Sequence, residues 1–179
     1  EEGKFLMTDP VSKYLPEFSD MQVCIGEENG KMKTEAASSP ITIQQLASHT
    51  SGLSYSFVPG PVGSMYIAEE MERGLGNVPS AGGEFFTEGT KPPFGNLREW
   101  TKALAELPLV AQPGTVWNYS VGMDVLGALI EKVSGMTFGE FLEERIFSPL
   151  GMEDTGFIVP EEKLNRFAAN YSPTPDNMI

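Results

Sequence analysis

The chain has 179 residues, of which twelve are Lys or Arg and twenty-five Asp or Glu, giving a formal charge of −13. That length fits one domain with a sizeable core, and the acidic balance argues against nucleic acid or an anionic membrane surface as partner, since both need clustered basic residues. One cysteine, Cys24, and one histidine, His49, exclude an internal disulfide and any thiolate-rich or multi-histidine metal site, so no metal or cofactor is expected.

No apolar run approaches the roughly 18 residues of a membrane span. Nineteen glycines and fourteen prolines place the chain above average in turn-formers but short of low complexity. The composition describes an acidic, loop-rich globular segment.

In chain order, Asp9-Pro10-Val11 to Pro16 predicts a short helical turn bracketed by prolines. Met21 to Ile25 and Lys31 to Ala37 flank Glu28-Asn29-Gly30, which predicts a β-hairpin. Thr42-Ile43-Gln44-Gln45 is a capping box opening a short helix that runs to His49 and stops near Ser51-Gly52. Residues 53–95 are irregular and proline-rich, with one helix expected from Ser64 to Arg73, ended by Gly74. A long stretch with so little regular structure is more often functional than inert.

Asn96-Leu97-Arg98-Glu99 is a second capping box, whose helix turns Leu97, Trp100, Leu104 and Leu107 inward and stops at Pro108. Ser120 is expected to cap the longest helix, with Met123, Leu126, Leu129, Ile130 and Val133 at helical spacing and Gly135 as its C-cap. Thr137-Phe138-Gly139-Glu140 is a third capping box, its helix carrying Phe141, Leu142 and Ile146 and closed by Pro149. The expected fold is mainly α with one short β-hairpin: a helical layer that needs another layer to lean on.

The chemistry begins with absences. There is no G-x-S-x-G, P-loop, G-x-G-x-x-G, H-E-x-x-H or calcium loop. His49, at the end of a short helix, reads as a cap or a packed residue. The adjacent carboxylate pairs, such as Glu143-Glu144, point different ways on a helix and read as solvated faces. One segment differs: in Gln112-Pro113-Gly114-Thr115-Val116-Trp117-Asn118-Tyr119-Ser120, a Pro-Gly turn feeds an extended run that places Tyr119 just before a helix N-terminus. The helix dipole there favours negative charge on a nearby oxygen.

Taken with its neighbours, this segment resembles a known superfamily. Pro113-Gly114-Thr115, Tyr119-Ser120, Leu126-Gly127, Glu131, Gly135 and Pro149-Leu150-Gly151-Met152 follow in order the pattern of the serine β-lactamase-like hydrolases, which include class C β-lactamases, DD-peptidases and family VIII carboxylesterases. Upstream, Asp9-Pro10-Val11-Ser12-Lys13-Tyr14-Leu15-Pro16 and His49-Thr50-Ser51-Gly52-Leu53 match the same family, so the resemblance is collinear over roughly residues 1–171.

In that family a serine of S-x-x-K attacks a carbonyl, and the lysine and a tyrosine manage the proton. The resemblance assigns the tyrosine's role to Tyr119. No serine in this chain begins an S-x-x-K, and Lys33-Thr34-Glu35 is not a K-T-G. The resemblance therefore implies a partial domain over residues 1–179, the helical region of the α/β β-lactamase and penicillin-binding-protein fold. The S-x-x-K segment would lie before Glu1, and the sheet with its K-T-G-like strand after Ile179.

Val121 stands where β-lactamases carry asparagine, a departure that implies an esterase rather than a β-lactamase. Val121, Trp117 and Tyr55 are the candidate substrate-binding residues. Three functions follow: an esterase acting through an acyl-enzyme on a small-molecule ester or amide; a β-lactamase or DD-peptidase; and a non-catalytic scaffold or binding module. Without the sheet, the apolar faces of the Ser120 and Thr137 helices are expected to drive self-association.

Overall fold

The computed structural model describes residues 3–69, 71 and 94–168. The described part is mainly helical with a single two-stranded hairpin. Strands β1 (Gln22–Glu28) and β2 (Lys31–Ala36) are antiparallel, with Glu28 opposite Lys31 and Gln22 opposite Ala36, and an irregularity between Cys24 and Gly26. The turn between them works because Asn29 and Gly30 both take positive φ, 54° and 72°, which is the geometry that Asn-Gly supplies at least cost. The outer edge of β1 is covered by the segment around Leu109, which exchanges backbone hydrogen bonds with Gln22 and Cys24 at 2.7 and 2.8 Å.

The helices are α1 (Ile43–Ala47), α2 (Pro61–Ala68), α3 (Leu97–Ala105), α4 (Gly122–Ser134), α5 (Phe138–Leu142) and α6 (Ser148–Leu150). Both threonine capping boxes form in full. The Thr42 and Thr137 hydroxyls accept the Gln45 and Glu140 N–H groups, and each partner's side chain reaches back to the cap's own N–H. α4 is the hub, packing on α1, α3 and α5. It approaches α1 so closely that a Cβ at Gly122 would lie 2.8 Å from the Leu46 carbonyl oxygen. Val11, Leu46, Leu53, Trp100, Leu104, Val125 and Leu129 fill the core between these elements. The Trp100 indole N–H finds the Met71 carbonyl at 2.8 Å, so its polar edge is satisfied inside the core.

Several expectations are corrected. α2 starts at Pro61, not Ser64, because proline at the first helical position needs no N–H partner, and it ends at Ala68. The expected stop at Gly74 lies outside the described residues. Asn96 caps α3, but Glu99 accepts from the Gly95 N–H, so the box closes one residue earlier than a standard one. Ser120 is not the N-cap of α4. Val121 takes that position without a side-chain bond, while the Ser120 hydroxyl accepts the Gly122 N–H at 3.4 Å and lies 3.3 Å from His49 Nδ1.

On α4 the buried stripe is Val125, Ala128 and Leu129, while Met123 turns out at 45% exposure. Pro149 does not close the last helix. The chain widens into a π-type turn over Glu143–Phe147, continues through α6 with Pro149 in its first turn, and stops at Gly151, whose φ is +65°. A proline that lacks its N–H is tolerated where a new turn begins, and the wide turn before it accommodates the missing bond. Among the described residues, no helix is long and apolar enough to cross a membrane.

Candidate active site

The site grows out of the turn at Pro113-Gly114. Gly114, at φ +83°, donates its N–H to the Thr50 carbonyl at 2.7 Å, which delivers the following run alongside the loop after α1. From there the side chains alternate, as an extended chain must. Asn118 and Ser120 point inward, whereas Trp117 and Tyr119 face out at 66% and 51% exposure.

The inward pair laces the run to the loop over residues 49–54. The Asn118 N–H donates to the His49 carbonyl at 2.8 Å, and its side-chain amide donates to the Leu53 carbonyl at 2.7 Å. The Ser120 N–H donates to His49 Nδ1 at 3.2 Å, and the Val121 N–H to the Ser54 carbonyl at 3.3 Å. Ser54 is itself tied down, its N–H donating to the buried Tyr66 hydroxyl at 3.2 Å.

The outward pair joins a row of rings. Phe57 stacks on Tyr55 with centroids 5.0 Å apart and planes at 17°. Tyr55 meets Tyr119 at 5.2 Å, Tyr119 meets His49 at 4.8 Å, and His49 meets Trp117 edge-on at 6.1 Å. Contacts of this spacing are favourable beyond the area they bury, and they hold the Tyr119 ring from both sides. The phenol oxygen belongs to a half-exposed ring whose backbone is hydrogen-bonded before and after it, three residues ahead of α4. That arrangement suits a proton-transfer group: fixed in direction and open to a reactant.

Of the four site residues read from the sequence, the structure brings Tyr119, Trp117 and Tyr55 into one ring cluster. Val121 is placed apart from them: its side chain is 0% exposed and belongs to the core, so it presents neither a polar group nor an apolar wall at the surface. Phe57 and Asn118 were not singled out in the sequence. Phe57 reaches Tyr55 across a turn closed by the Val58 N–H on the Tyr55 carbonyl at 3.2 Å, and an aromatic two residues after Tyr55 is the signal that points to it. A separate crevice at the base of the hairpin, lined by Phe18, Met21, Gln22, Ala37 and Pro40 among others, shares no residue with this cluster. Among the described residues, no group of three or more His, Cys, Asp or Glu side chains could hold a metal ion.

One carboxyl in the first turn of α4 is strongly shifted. Burial pushes Asp124 up to about 6, against the opposing pull of its backbone hydrogen bond. The native state thus holds this proton more tightly than the unfolded chain, whose aspartate titrates near 3.9. Stability therefore falls as pH rises from about 4 to about 6, and the penalty, at most about 2–3 kcal/mol, persists above that range. Asp124→Asn is expected to raise the melting temperature at pH 7.5 and to change it little at pH 4. Thermal scans showing the same shift at both values would contradict this.

A family model described as Beta-lactamase matches residues 1–178. The chain belongs to the beta-lactamase family. Among relatives, this beta-lactamase-family chain is 33% identical over 173 residues to Protein Rv1367c of Mycobacterium tuberculosis, covering 96% of this chain and 37% of the relative. It is 33% identical over 180 residues to Esterase EstB of Burkholderia gladioli, covering 98% of this chain and 38% of the relative. Among solved structures it is similar to EstCE1, a hydrolase with promiscuous acyltransferase activity, with a TM-score of 0.62, 27% identity and coverage of 90% and 35% of the two chains. The beta-lactamase-family chain spans less than two fifths of the length of the curated relatives it matches.

Proposed function

We propose that this chain is the helical segment of a longer serine hydrolase that cleaves esters through an acyl-enzyme, with Tyr119 as its proton-transfer residue. The observation that carries the proposal is the fixation of Tyr119: its neighbours Asn118 and Ser120 are both hydrogen-bonded to His49, and its ring is held between His49 and Tyr55. A serine supplied by another part of the protein attacks the ester carbonyl, and Tyr119 takes the proton from that serine hydroxyl. Tyr119 then returns the proton to the departing alcohol, and water repeats the exchange to release the acid. Tyr55, Phe57 and Trp117 offer ring faces to the apolar part of the substrate.

The similarity to an esterase and to a hydrolase with acyltransferase activity supports acyl transfer as the reaction class. Self-association is part of the same proposal. Of the α4 face named in the sequence, Leu129 is buried in the core and Leu126 and Val133 pack against it, whereas Ile146, Leu150, Phe157 and Ile158 expose apolar side chains on and beyond the last helix that a second copy would cover.

The test compares the full-length protein with the 179-residue chain. The full-length protein is expected to take up one fluorophosphonate per molecule on a serine. The chain alone is expected to take up none, and to scatter light as more than a monomer. A stoichiometric adduct on the chain alone would overturn the assignment of the nucleophile to another segment, and a compact monomer would overturn self-association.

A further inference from the structure

His49 touches four consecutive residues of the site. Its ring meets Trp117 at 6.1 Å and Tyr119 at 4.8 Å, its carbonyl accepts the Asn118 N–H at 2.8 Å, and its Nδ1 accepts the Ser120 N–H at 3.2 Å. The Ser120 hydroxyl lies 3.3 Å from the same nitrogen. It does this from a left-handed backbone, φ +56°, a conformation that a histidine adopts only when its surroundings impose it.

The hydrogen bonds on either side of Tyr119 fix its Cα and the direction of the chain, and the ring contact fixes the phenol. A backbone N–H can only donate, so Nδ1 must be the unprotonated nitrogen, and the imidazole is the neutral form with its proton on Nε2. A proton on Nδ1 would face the Ser120 N–H with a second donor and release it.

From this we infer that His49 is a positioning residue. As a neutral Nε2-protonated imidazole, it clamps the residues before and after Tyr119 and so aims the phenol at the reacting atoms. The inference rests on the proposed role of Tyr119 in proton transfer.

Two substitutions separate the acceptor from the ring. Asparagine at 49 keeps an acceptor at the δ1 position and accepts the left-handed backbone, but loses the ring. Phenylalanine keeps the ring and loses the acceptor. In the full-length protein, with p-nitrophenyl butyrate as substrate, His49→Ala is expected to lower kcat about 10- to 100-fold with KM within about twofold, the size of effect a misplaced catalytic group produces. His49→Asn should recover most of that loss, and His49→Phe little of it. In a Tyr119→Phe background, His49→Ala should cost less than about twofold, because the group it positions is gone. A loss that adds in full in the double variant, or a Phe variant better than the Asn variant, would overturn the inference.

If Tyr119→Phe itself leaves kcat unchanged, the catalytic reading of Tyr119 falls on its own, and the clamp is judged by imidazole nitrogen NMR. A bare Nδ1, with the Ser120 amide resonance moving in His49→Ala but not in His49→Asn, sustains it. A protonated Nδ1 overturns it.

Discussion

Tyr119→Phe in the full-length protein is expected to lower kcat on an ester by about 10²- to 10⁴-fold while leaving KM within about threefold. Phenylalanine keeps the ring, and with it the contacts to His49 at 4.8 Å and Tyr55 at 5.2 Å, so packing and the course of the backbone are retained. What is lost is one O–H, the group proposed to exchange protons with the nucleophile and the leaving alcohol. Proton transfer by a positioned side chain typically contributes that much rate, and an interaction used only in the transition state appears in kcat rather than KM. The half-exposed ring bears little of the core's weight, so the melting temperature should move by no more than about 1–2 °C. Steady-state kinetics that find kcat within a few-fold of the parent would remove Tyr119 from the chemistry.

The largest effect on stability is expected from Gly52→Ala. Gly52 sits at φ +86°, and an added Cβ would lie 2.3 Å from the Ala111 carbonyl oxygen and 3.2 Å from the Leu109 Cβ. Neither neighbour can yield cheaply. The Val110 N–H donates to the Gly52 carbonyl at 2.8 Å, and the Leu109 N–H is anchored on Gln22 at 2.7 Å. The left-handed backbone costs roughly 1–2 kcal/mol for a residue with a Cβ, and overpacking roughly 1–3 kcal/mol more.

A loss of about 2–5 kcal/mol is a large share of a typical stability of about 5–15 kcal/mol. At about 2–4 °C per kcal/mol for a chain of this size, the melting temperature should drop by roughly 5–15 °C. Activity should fall with it, because the loop that Gly52 belongs to holds Asn118 and Val121. Gly135→Ala is the control. Gly135 has φ +77° with open space around its Cβ position, so only the backbone cost applies. Equal losses at the two sites would show that the close approach at Gly52 is not what matters.

Much of the fold was legible because its signals are local. The Thr42 and Thr137 capping boxes and the Asn29-Gly30 turn depend on residues within four positions of one another, and all three form as read. What escaped was set by tertiary contacts. Ser120 looked like the helix cap, and its hydroxyl does meet the Gly122 N–H, but Val121 takes the cap position and Ser120 is held by His49, seventy-one residues earlier, a pairing that nothing in the spacing announces. Met123 fits the helical period of α4 yet faces out, because the side of α4 that meets α1 and α3 carries Val125, Ala128 and Leu129.

Pro149 looked like a stop, but it sits where a fresh turn begins. The site was half legible. Tyr119 was marked by a motif and by its place before a helix, and Tyr55 and Trp117 by the same resemblance. The reading of His49 as a packed residue is compatible with the geometry, but its clamp on residues 117–120 appears only in three dimensions.

The most direct test of ester hydrolysis as the activity is kcat/KM of the full-length protein on p-nitrophenyl butyrate beside nitrocefin. Where β-lactamases carry an asparagine, Val121 offers neither donor nor acceptor, and its side chain is wholly buried. No polar side chain from this position reaches the surface, so a β-lactam gains no amide hydrogen bond from it, a difference of about 0.5–1.5 kcal/mol or roughly a factor of 2 to 12. An ester lacks that amide and gains about 0.8 kcal/mol for each CH₂ it buries against the rings of Tyr55, Phe57 and Trp117. Both effects act in one direction, so kcat/KM should be at least about tenfold higher for the butyrate ester. A higher kcat/KM for nitrocefin would contradict the esterase assignment.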